Sequence, residues 1–200
     1  MDLFGLRFFL IVFVILEGNT LIAQQLNFDI LLNEEVIGII DVDRSTNGAL
    51  EQYEIISEVN FKVLWRKYER ETRNTIAYEN GILSKSFNSV YMNNKMEDSS
   101  ALVYKSGKYH GYRSPDDHFS LEHIGVNFSM IKLYYKEPLG LKEVYSERYL
   151  EMCPIESVAP HKYKVYIPNG KHNYYTYKNG QMVEALIDRT WFNLTFRPKK

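Results

Sequence analysis

The sequence predicts a mainly β protein: a single twisted antiparallel meander or open half-barrel of roughly ten strands, with one short helix packed on it. Two observations predict the sheet. Asn-Gly pairs recur along the chain, and the segments between them alternate apolar and polar residues. A third observation predicts the helix, because the apolar residues near position 130 are spaced three and four apart.

The predicted turns define the strand ends. Asn-Gly is the strongest short-range hairpin signal, because both residues tolerate the positive φ that two-residue turns require. The predicted turns are Asn47-Gly48, Asn80-Gly81, Asn169-Gly170, Asn179-Gly180, Ser106-Gly107, Asn93-Asn94-Lys95 and Asn33-Glu34-Glu35. Successive strands joined by such short turns are antiparallel neighbours.

The segments between the turns are rich in Tyr, Phe, Val and Ile, which favour strands. From Tyr53 to Trp65 every second residue is mostly apolar, but beyond Trp65 the phase changes, so we predict a break in the strand near 63–66. A second segment follows, in which Tyr68, Ile76 and Tyr78 share a face. The other predicted strands are 26–32, 36–43, 82–92, 97–105, 108–113, 118–124, 142–149, 162–167, 171–178, 181–188 and 191–197.

Residues 127–138 depart from the strand pattern and predict about two to three turns of helix over about 128–136. Asn127 is suited to cap its start, and Pro138 forbids its continuation. The side expected to face the concave side of the sheet carries Met130, Ile131, Tyr134 and Tyr135, whereas Lys132 and Lys136 are expected at solvated edges.

The N-terminus predicts export from the cytoplasm. Arg7 precedes the apolar run 8–16, and the segment 17–23 that follows ends in the small residue Ala23, as in a secretory signal peptide. A helix of nine residues is roughly 14 Å long, about half a bilayer core, so no stable membrane anchor is expected. We predict a signal peptide over 1–23, cleavage between Ala23 and Gln24, and a single antiparallel β domain over 24–200. No cysteine near Ala23 could carry a lipid, so the mature protein is expected to be soluble in the periplasm or outside the cell.

Charge and cysteine content exclude other classes. Removal of residues 1–23 takes away one basic and two acidic residues and leaves 23 of each. A chain without net charge offers no long-range attraction to nucleic acid. Cys153 is the single cysteine, so it cannot form an internal disulfide, and its neighbours Met152 and Pro154 favour a packed thiol over a reactive one.

No sequence motif indicates chemistry. The chain has no nucleophile elbow, zinc-protease helix, phosphate-binding loop or dinucleotide fingerprint. His118 and His123 would face opposite sides of a strand and could not share a metal. Glu137 and Glu147 flank a loop, but such carboxylate pairs are more often solvated or salt-bridged than catalytic. We therefore expect no catalytic residue, no cofactor and no metal, and we regard an enzyme as the least favoured class.

The aromatic residues allow two interpretations. Sixteen tyrosines, two tryptophans and the phenylalanines beyond the predicted signal peptide are spread over nearly every strand. They could pack in the core and in cross-strand pairs, or they could line a concave sheet face that holds an apolar ligand. Under either interpretation, the residues expected to pack on the concave face or contact a ligand are Trp65, Met130, Tyr134 and Tyr135.

Four segments carry a resemblance to known families. They are 133–138 (LYYKEP), 144–147 (VYSE), 168–170 (PNG) and 175–180 (YTYKNG). On these the chain resembles an uncharacterised group of secreted Bacteroidota proteins, described as a domain of unknown function. The order of elements is also similar to periplasmic half-barrels that are like the lipoprotein carriers, in which a Trp-containing last strand ends in Pro, as Trp191 to Pro198 could here.

This second resemblance implies an apolar-ligand or lipoprotein-handling role by analogy of fold only. We therefore expect a non-enzymatic periplasmic or secreted protein whose partner is a lipid, another apolar molecule or an envelope protein. The alternative is a structural or envelope-assembly module with no small-molecule ligand.

Overall fold

The computed structural model describes residues 22–63, 65–113, 117–122, 125–189 and 192–199. They form fourteen strands and one short 3₁₀ helix. The strands are β1 Ile22–Leu32, β2 Glu35–Asn47, β3 Leu50–Val63, β4 Arg66–Glu79, β5 Ile82–Met92, β6 Lys95–Lys105, β7 Lys108–Arg113, β8 His118–Glu122, β9 Glu143–Ser146, β10 Glu151–Ala159, β11 Lys162–Tyr166, β12 His172–Lys178, β13 Gln181–Asp188 and β14 Asn193–Pro198.

All fourteen strands belong to one antiparallel sheet with the order β8-β7-β6-β5-β4-β3-β2-β1-β14-β13-β12-β11-β10-β9. β1 and β14, the first and last of the described strands, pair with each other, with Ile30 opposite Phe196. Two meanders extend from this pair in opposite directions, and the sheet stays open because β8 and β9 do not pair with each other. The mainly β class is confirmed, but the estimate of roughly ten strands was too low.

The predicted turns are confirmed. Each of the seven connects two neighbouring strands, although the first lies at Gly48-Ala49, one residue later than predicted. Asn80 and Gly81 show the physical basis, since their φ angles of 52° and 77° are both positive. The break predicted near 63–66 is also a hairpin, because Val63 pairs directly with Arg66.

β10 lies outside the predicted strands, and it contains a proline, which is uncommon inside a strand. In the structure Pro154 lies where β10 changes partner. Residues up to Pro154 pair with β9, and residues from Ile155 onward pair with β11. A missing backbone N–H costs little at such a point. Cys153, on the same strand, is a fully buried free thiol, as its neighbours predicted.

The predicted helix is shorter and of another type than expected. A 3₁₀ helix spans Met130–Tyr134, and Ser129, not Asn127, occupies the cap position with extended backbone angles. Phe128 accepts a hydrogen bond from the Tyr145 amide at 3.1 Å, and Ser129 bridges Tyr145 in parallel. Because these residues run alongside β9, they are not available to a longer helix.

The segment before the helix connects the two arms of the sheet. Val126 accepts a hydrogen bond from the Leu83 amide of β5 at 2.7 Å, and Phe128 is bonded to β9. Tyr177 of β12 then donates to the Leu133 carbonyl at 2.8 Å, and Tyr135 donates to the Val42 carbonyl of β2 at 2.7 Å. The helix is thereby held against the inner face of both arms.

The predicted signal segment lies largely outside the described residues. Ala23 and Gln24, the predicted cleavage residues, belong to β1, opposite Ser45 and Arg44 of β2. In the described ranges we find no helix with the length and apolar character needed to cross a membrane. Trp191, named in the resemblance to half-barrel proteins, also lies outside the described residues.

Candidate functional site

A cavity of about 470 Å³ lies between the inner face of the sheet and the 3₁₀ helix. Its size falls within the roughly 300–1,000 Å³ typical of small-molecule sites. We call it the inner cavity. Its apolar wall includes Ile30, Ile55, Val59, Val90, Leu194 and Phe196 from both arms.

Strand periodicity places these side chains. On β3, Ile55, Ser57, Val59 and Phe61 all line the cavity, and on β4 Arg70, Thr72, Asn74 and Ile76 do so. Both sets are spaced by two residues, so each set lies on one face of its strand. The face of β3 that the alternating sequence pattern predicts to be apolar therefore forms part of the cavity wall.

The 3₁₀ helix contributes Met130, Ile131 and Tyr134 to the opposite wall. The Tyr134 ring packs edge-on against Phe28 of β1, with 5.3 Å between the ring centroids. Tyr134 is partly buried, and the dry surroundings of its hydroxyl raise its pKa above the usual range. Of the four side chains predicted for the concave face, Met130 and Tyr134 line this cavity.

The other two predicted residues lie elsewhere. Tyr135 packs against Tyr53 with ring centroids 5.6 Å apart and is bonded to β2, outside the inner cavity. Trp65 lies in the turn between β3 and β4 and is 83% exposed, so it is not among the residues that line the cavity.

Lys132 does not lie at a solvated edge, and that expectation was wrong. Its side chain is only 13% exposed and forms an ion pair with Glu51 at 3.1 Å. Its ammonium group also lies 3.5 Å from the centroid of the Tyr78 ring. Glu51 accepts further hydrogen bonds from Tyr53 at 2.8 Å and from Arg44 at 2.9 Å. This cluster, in which two cations share one carboxylate, fixes the helix to β2, β3 and β4.

Glu137 and Glu147 do not act as a pair. Glu137 accepts hydrogen bonds from Tyr163 at 2.8 Å and shares another with His161 at 3.0 Å. Burial alone would raise its pKa, but these two partners lower it.

Glu147 is 7% exposed and lines the inner cavity. It accepts a hydrogen bond from the Ile131 amide at 3.2 Å, so it holds the start of the 3₁₀ helix. Burial raises the pKa of Glu147.

Polar side chains form a strip along the cavity floor on β3, β4 and β5. The strip consists of Ser57, Thr72, Asn74 and Asn88. Asn88 donates to Asn74, while its own side-chain oxygen has no hydrogen-bond partner among the described residues. The cavity thus combines apolar walls with polar side chains, a combination that suits a molecule with both kinds of surface.

Three arginines also line the cavity, and we call them the arginine group: Arg70 on β4, Arg148 after β9, and Arg189 after β13. Arg148 is paired with Asp98, at 3.0 and 3.2 Å. Burial lowers the pKa of Arg70, and the nearby positive charges of Arg148 and Arg189 lower it further. Sequence reasoning missed this group because its members are far apart in the chain and no local pattern links them.

The described side chains give no sign of nucleophilic or metal chemistry. Burial raises the pKa of the Cys153 thiol to about 12, which keeps it protonated. Within the described ranges, no three His, Cys, Asp or Glu side chains come together as metal ligands. His118 lies on β8, and His123 lies outside the described residues.

A second depression of about 890 Å³ lies along β1–β6 and includes Ala23, Gln24, Asp43, Arg44 and Lys85. Its charges have both signs, and Arg44 is already paired with Glu51. We call it the outer depression. Although it is larger, it has no contribution from the 3₁₀ helix or from the second arm of the sheet.

Comparisons with known proteins identify a family without a known function. The family described as "Domain of unknown function (DUF6134)" matches residues 28–199. No curated protein matches the chain. Among solved structures, the chain is similar to a beta-barrel-like protein of domain of unknown function DUF1849 from Brucella abortus, with a TM-score of 0.57 and 11% identity. The alignment covers 92% of this chain and 98% of that one, and at this identity it shows a shared fold alone.

Proposed function

We propose that this chain, which belongs to the DUF6134 family of unknown function, is a non-enzymatic binding protein that holds an apolar molecule in the inner cavity. The observation that carries the proposal is the cavity itself, about 470 Å³ between the curved sheet and the 3₁₀ helix. Its wall draws side chains from both arms of the sheet, so a ligand there would contact both.

Water is a poor occupant of such a space. An apolar wall offers it few hydrogen bonds, and release of that water to bulk favours entry of an apolar molecule. The helix that covers the cavity is fixed by the Lys132–Glu51 pair and by the Tyr177 bond to Leu133. A preformed cavity of this kind binds without a large ordering cost.

The proposal includes a location outside the cytoplasm. The apolar run at 8–16 is preceded by Arg7 and followed by a segment that ends in the small residue Ala23, which supports export through a signal peptide. Detection of Gln24 as the N-terminal residue, by Edman degradation or mass spectrometry, would support export with cleavage. Protein recovered outside the cytoplasm with Met1 intact would argue against it.

The binding test uses a neutral apolar fluorophore, N-phenyl-1-naphthylamine, whose emission rises in a dry environment. Thr72→Trp adds a large side chain to the inner cavity, whereas Thr75→Trp, three residues away on β4, projects toward the outer depression. We expect saturable binding to the unmodified protein, loss in Thr72→Trp and retention in Thr75→Trp. The reverse pattern would assign the ligand to the outer depression, and no binding to any form would reject the proposal.

A second candidate function is supported by the sheet edge. β8 is the terminal strand of the sheet order, and among the described residues it pairs on one side only, with β7. Such an edge can accept a strand from a partner chain. Extraction of the purified protein with organic solvent, followed by mass spectrometry, separates the two candidates: a co-purified lipid favours the cavity, and a clean extract without a thermal shift on lipid addition favours the structural role.

A further inference from the structure

We infer that the molecule held in the inner cavity is an anionic amphiphile, with its acidic head group at Arg70 and Arg189 and its alkyl chain along the apolar wall. This inference rests on the proposed function and goes beyond it by naming the ligand class. Its basis is the charge balance of the cavity.

The arginine group is not neutralised by the described part of the protein. Arg148 has Asp98 as a partner. Among the described residues, the Arg189 guanidinium donates only to the Asp188 carbonyl oxygen, at 3.5 Å, and Arg70 has no ion pair, although the negative charges of Glu97 and Asp98 lie near enough to act on its pKa. The cavity carboxylate of Glu147 is directed to the helix backbone. Two guanidinium groups are therefore available to an anion.

The surroundings of Arg70 make this excess charge significant. In the sheet register Arg70 lies opposite Val59 of β3 and Met92 of β5, and both of these side chains are apolar. A partly buried cation beside apolar neighbours is costly unless it is paired. By contrast, the cations at the helix anchor, Lys132 and Arg44, share Glu51.

The arrangement of the lining fits one orientation of the ligand. Arg70 is the register partner of Met92, and the Arg189 amide donates to the Phe192 carbonyl at 3.0 Å. Phe192 also lines the cavity and is 41% exposed. Ile30, Ile55 and Leu194 continue the apolar wall without a cation of their own. A head group at the arginines would thus remain near solvent while its chain replaces water inside. Guanidinium groups bind carboxylate and phosphate in the same bidentate manner, so either head group satisfies the site.

The test compares amphiphiles with the same chain and different heads. Laurate, dodecyl phosphate, dodecanol and dodecyltrimethylammonium, all below their micelle concentrations, compete with the neutral fluorophore. We expect laurate or dodecyl phosphate to displace it at a concentration at least tenfold lower than dodecanol does, and the cationic amphiphile to compete least. The two anions distinguish a carboxylate ligand from a phosphate ligand.

The variants assign the effect to the arginines. Arg70→Gln combined with Arg189→Gln should lower the affinity for the anionic amphiphile by roughly 10- to 100-fold. The affinities for dodecanol and the fluorophore should stay unchanged. Arg73→Gln is the matched control, because Arg73 is exposed on the outer face of the same strand and is paired with Glu71. Arg70→Lys, which keeps the charge, should retain part of the preference.

The outcomes separate the two proposals. Equal displacement by laurate, dodecyl phosphate and dodecanol, or an equal effect of Arg73→Gln and the double variant, would overturn the inference and leave the proposed function standing. Absence of any binding would overturn both. If the double variant does not fold, the test uses the salt dependence of binding to the unmodified protein. Added salt should lower the affinity for the anionic amphiphile more than the affinity for dodecanol. An unchanged ratio of the two affinities would overturn the inference.

Discussion

Replacement of Lys132 by alanine should destabilise the protein. The sequence predicts a solvated position for this side chain, at which such a substitution would have little effect. Its ammonium group makes an ion pair with Glu51 at 3.1 Å, a hydrogen bond to the Asn127 carbonyl at 3.1 Å and a contact with the Tyr78 ring. All three are lost in Lys132→Ala. Lys136→Ala is the matched control, since Lys136 is exposed in the same segment.

The magnitude follows from these contacts. Hydrogen bonds to charged groups contribute about 1.5–3 kcal/mol each, and a cation over an aromatic ring about 0.5–2 kcal/mol. Release of the lysine side chain regains about 1.5–2 kcal/mol of rotamer entropy. Glu51 keeps Arg44 at 2.7 Å and is not left as an unpaired charge. Burial lowers the pKa of Lys132, so the cost of desolvating its ammonium group offsets part of these contributions. We expect a net loss of about 1–3 kcal/mol for Lys132→Ala and less than about 0.5 kcal/mol for Lys136→Ala.

Urea denaturation measures both free energies of unfolding from the midpoint, provided that the slope stays constant. Glu51→Gln in each background completes a double-mutant cycle, which should give a coupling energy between Glu51 and Lys132 of about 1 kcal/mol. If Lys132→Ala and Lys136→Ala lower stability equally and slightly, then Lys132 is not part of the helix anchor and the reasoning is wrong.

Three further predictions concern stability. Tyr134→Ala should lower the free energy of unfolding by about 2–3 kcal/mol, less than the ~3–5 kcal/mol of a fully buried aromatic, because the ring borders the cavity and is only partly buried; a change below about 0.5 kcal/mol in urea denaturation would contradict its packing role. Burial raises the pKa of Glu147, so the folded state keeps a proton that the unfolded state releases above about its usual 4.5, and stability falls as pH rises through that window. The free energy of unfolding of Glu147→Gln relative to the unmodified protein should accordingly increase with pH above 4.5 and then become constant, and a difference independent of pH would refute the raised pKa. Gly38→Ala would place a methyl group 2.2 Å from the Glu58 carbonyl oxygen and should cost about 1–3 kcal/mol or more; Gly107→Ala, with open space but a φ of +81°, should cost only about 1 kcal/mol, and similar thermal midpoints for both would argue against this close approach of β2 and β3.

Local chemistry was enough to predict the turns and most strands. Asn80 and Gly81 carry their turn conformation in their own backbone preferences, and the alternation from Tyr53 onward matches the buried face of β3. Such features depend on adjacent residues, so a sequence shows them directly. The matching family is a domain of unknown function, as the resemblance implied, whereas its Bacteroidota origin and its secretion stay predictions.

Contacts between distant segments changed the remaining predictions. Phe128 and Ser129 were assigned to a helix from their spacing, but pairing with β9 holds them extended. β10 was absent from the predicted strands, and proline is disfavoured inside a strand, yet Pro154 lies where β10 changes neighbours, so its missing donor costs little. In both cases a tertiary partner outweighed the local preference.

The sequence by itself determined the mainly β class, the turn positions, the absence of net charge after removal of 1–23 and the lone cysteine, because each of these depends on composition or on adjacent residues. Only the tertiary structure decided that Arg70, Arg148 and Arg189 line one cavity, that Lys132 is paired with Glu51, and that Trp65 lies away from the site. The physical reason is that the position of a charge relative to its partners is set by how two arms of one sheet curve toward each other, and no local pattern encodes that curvature.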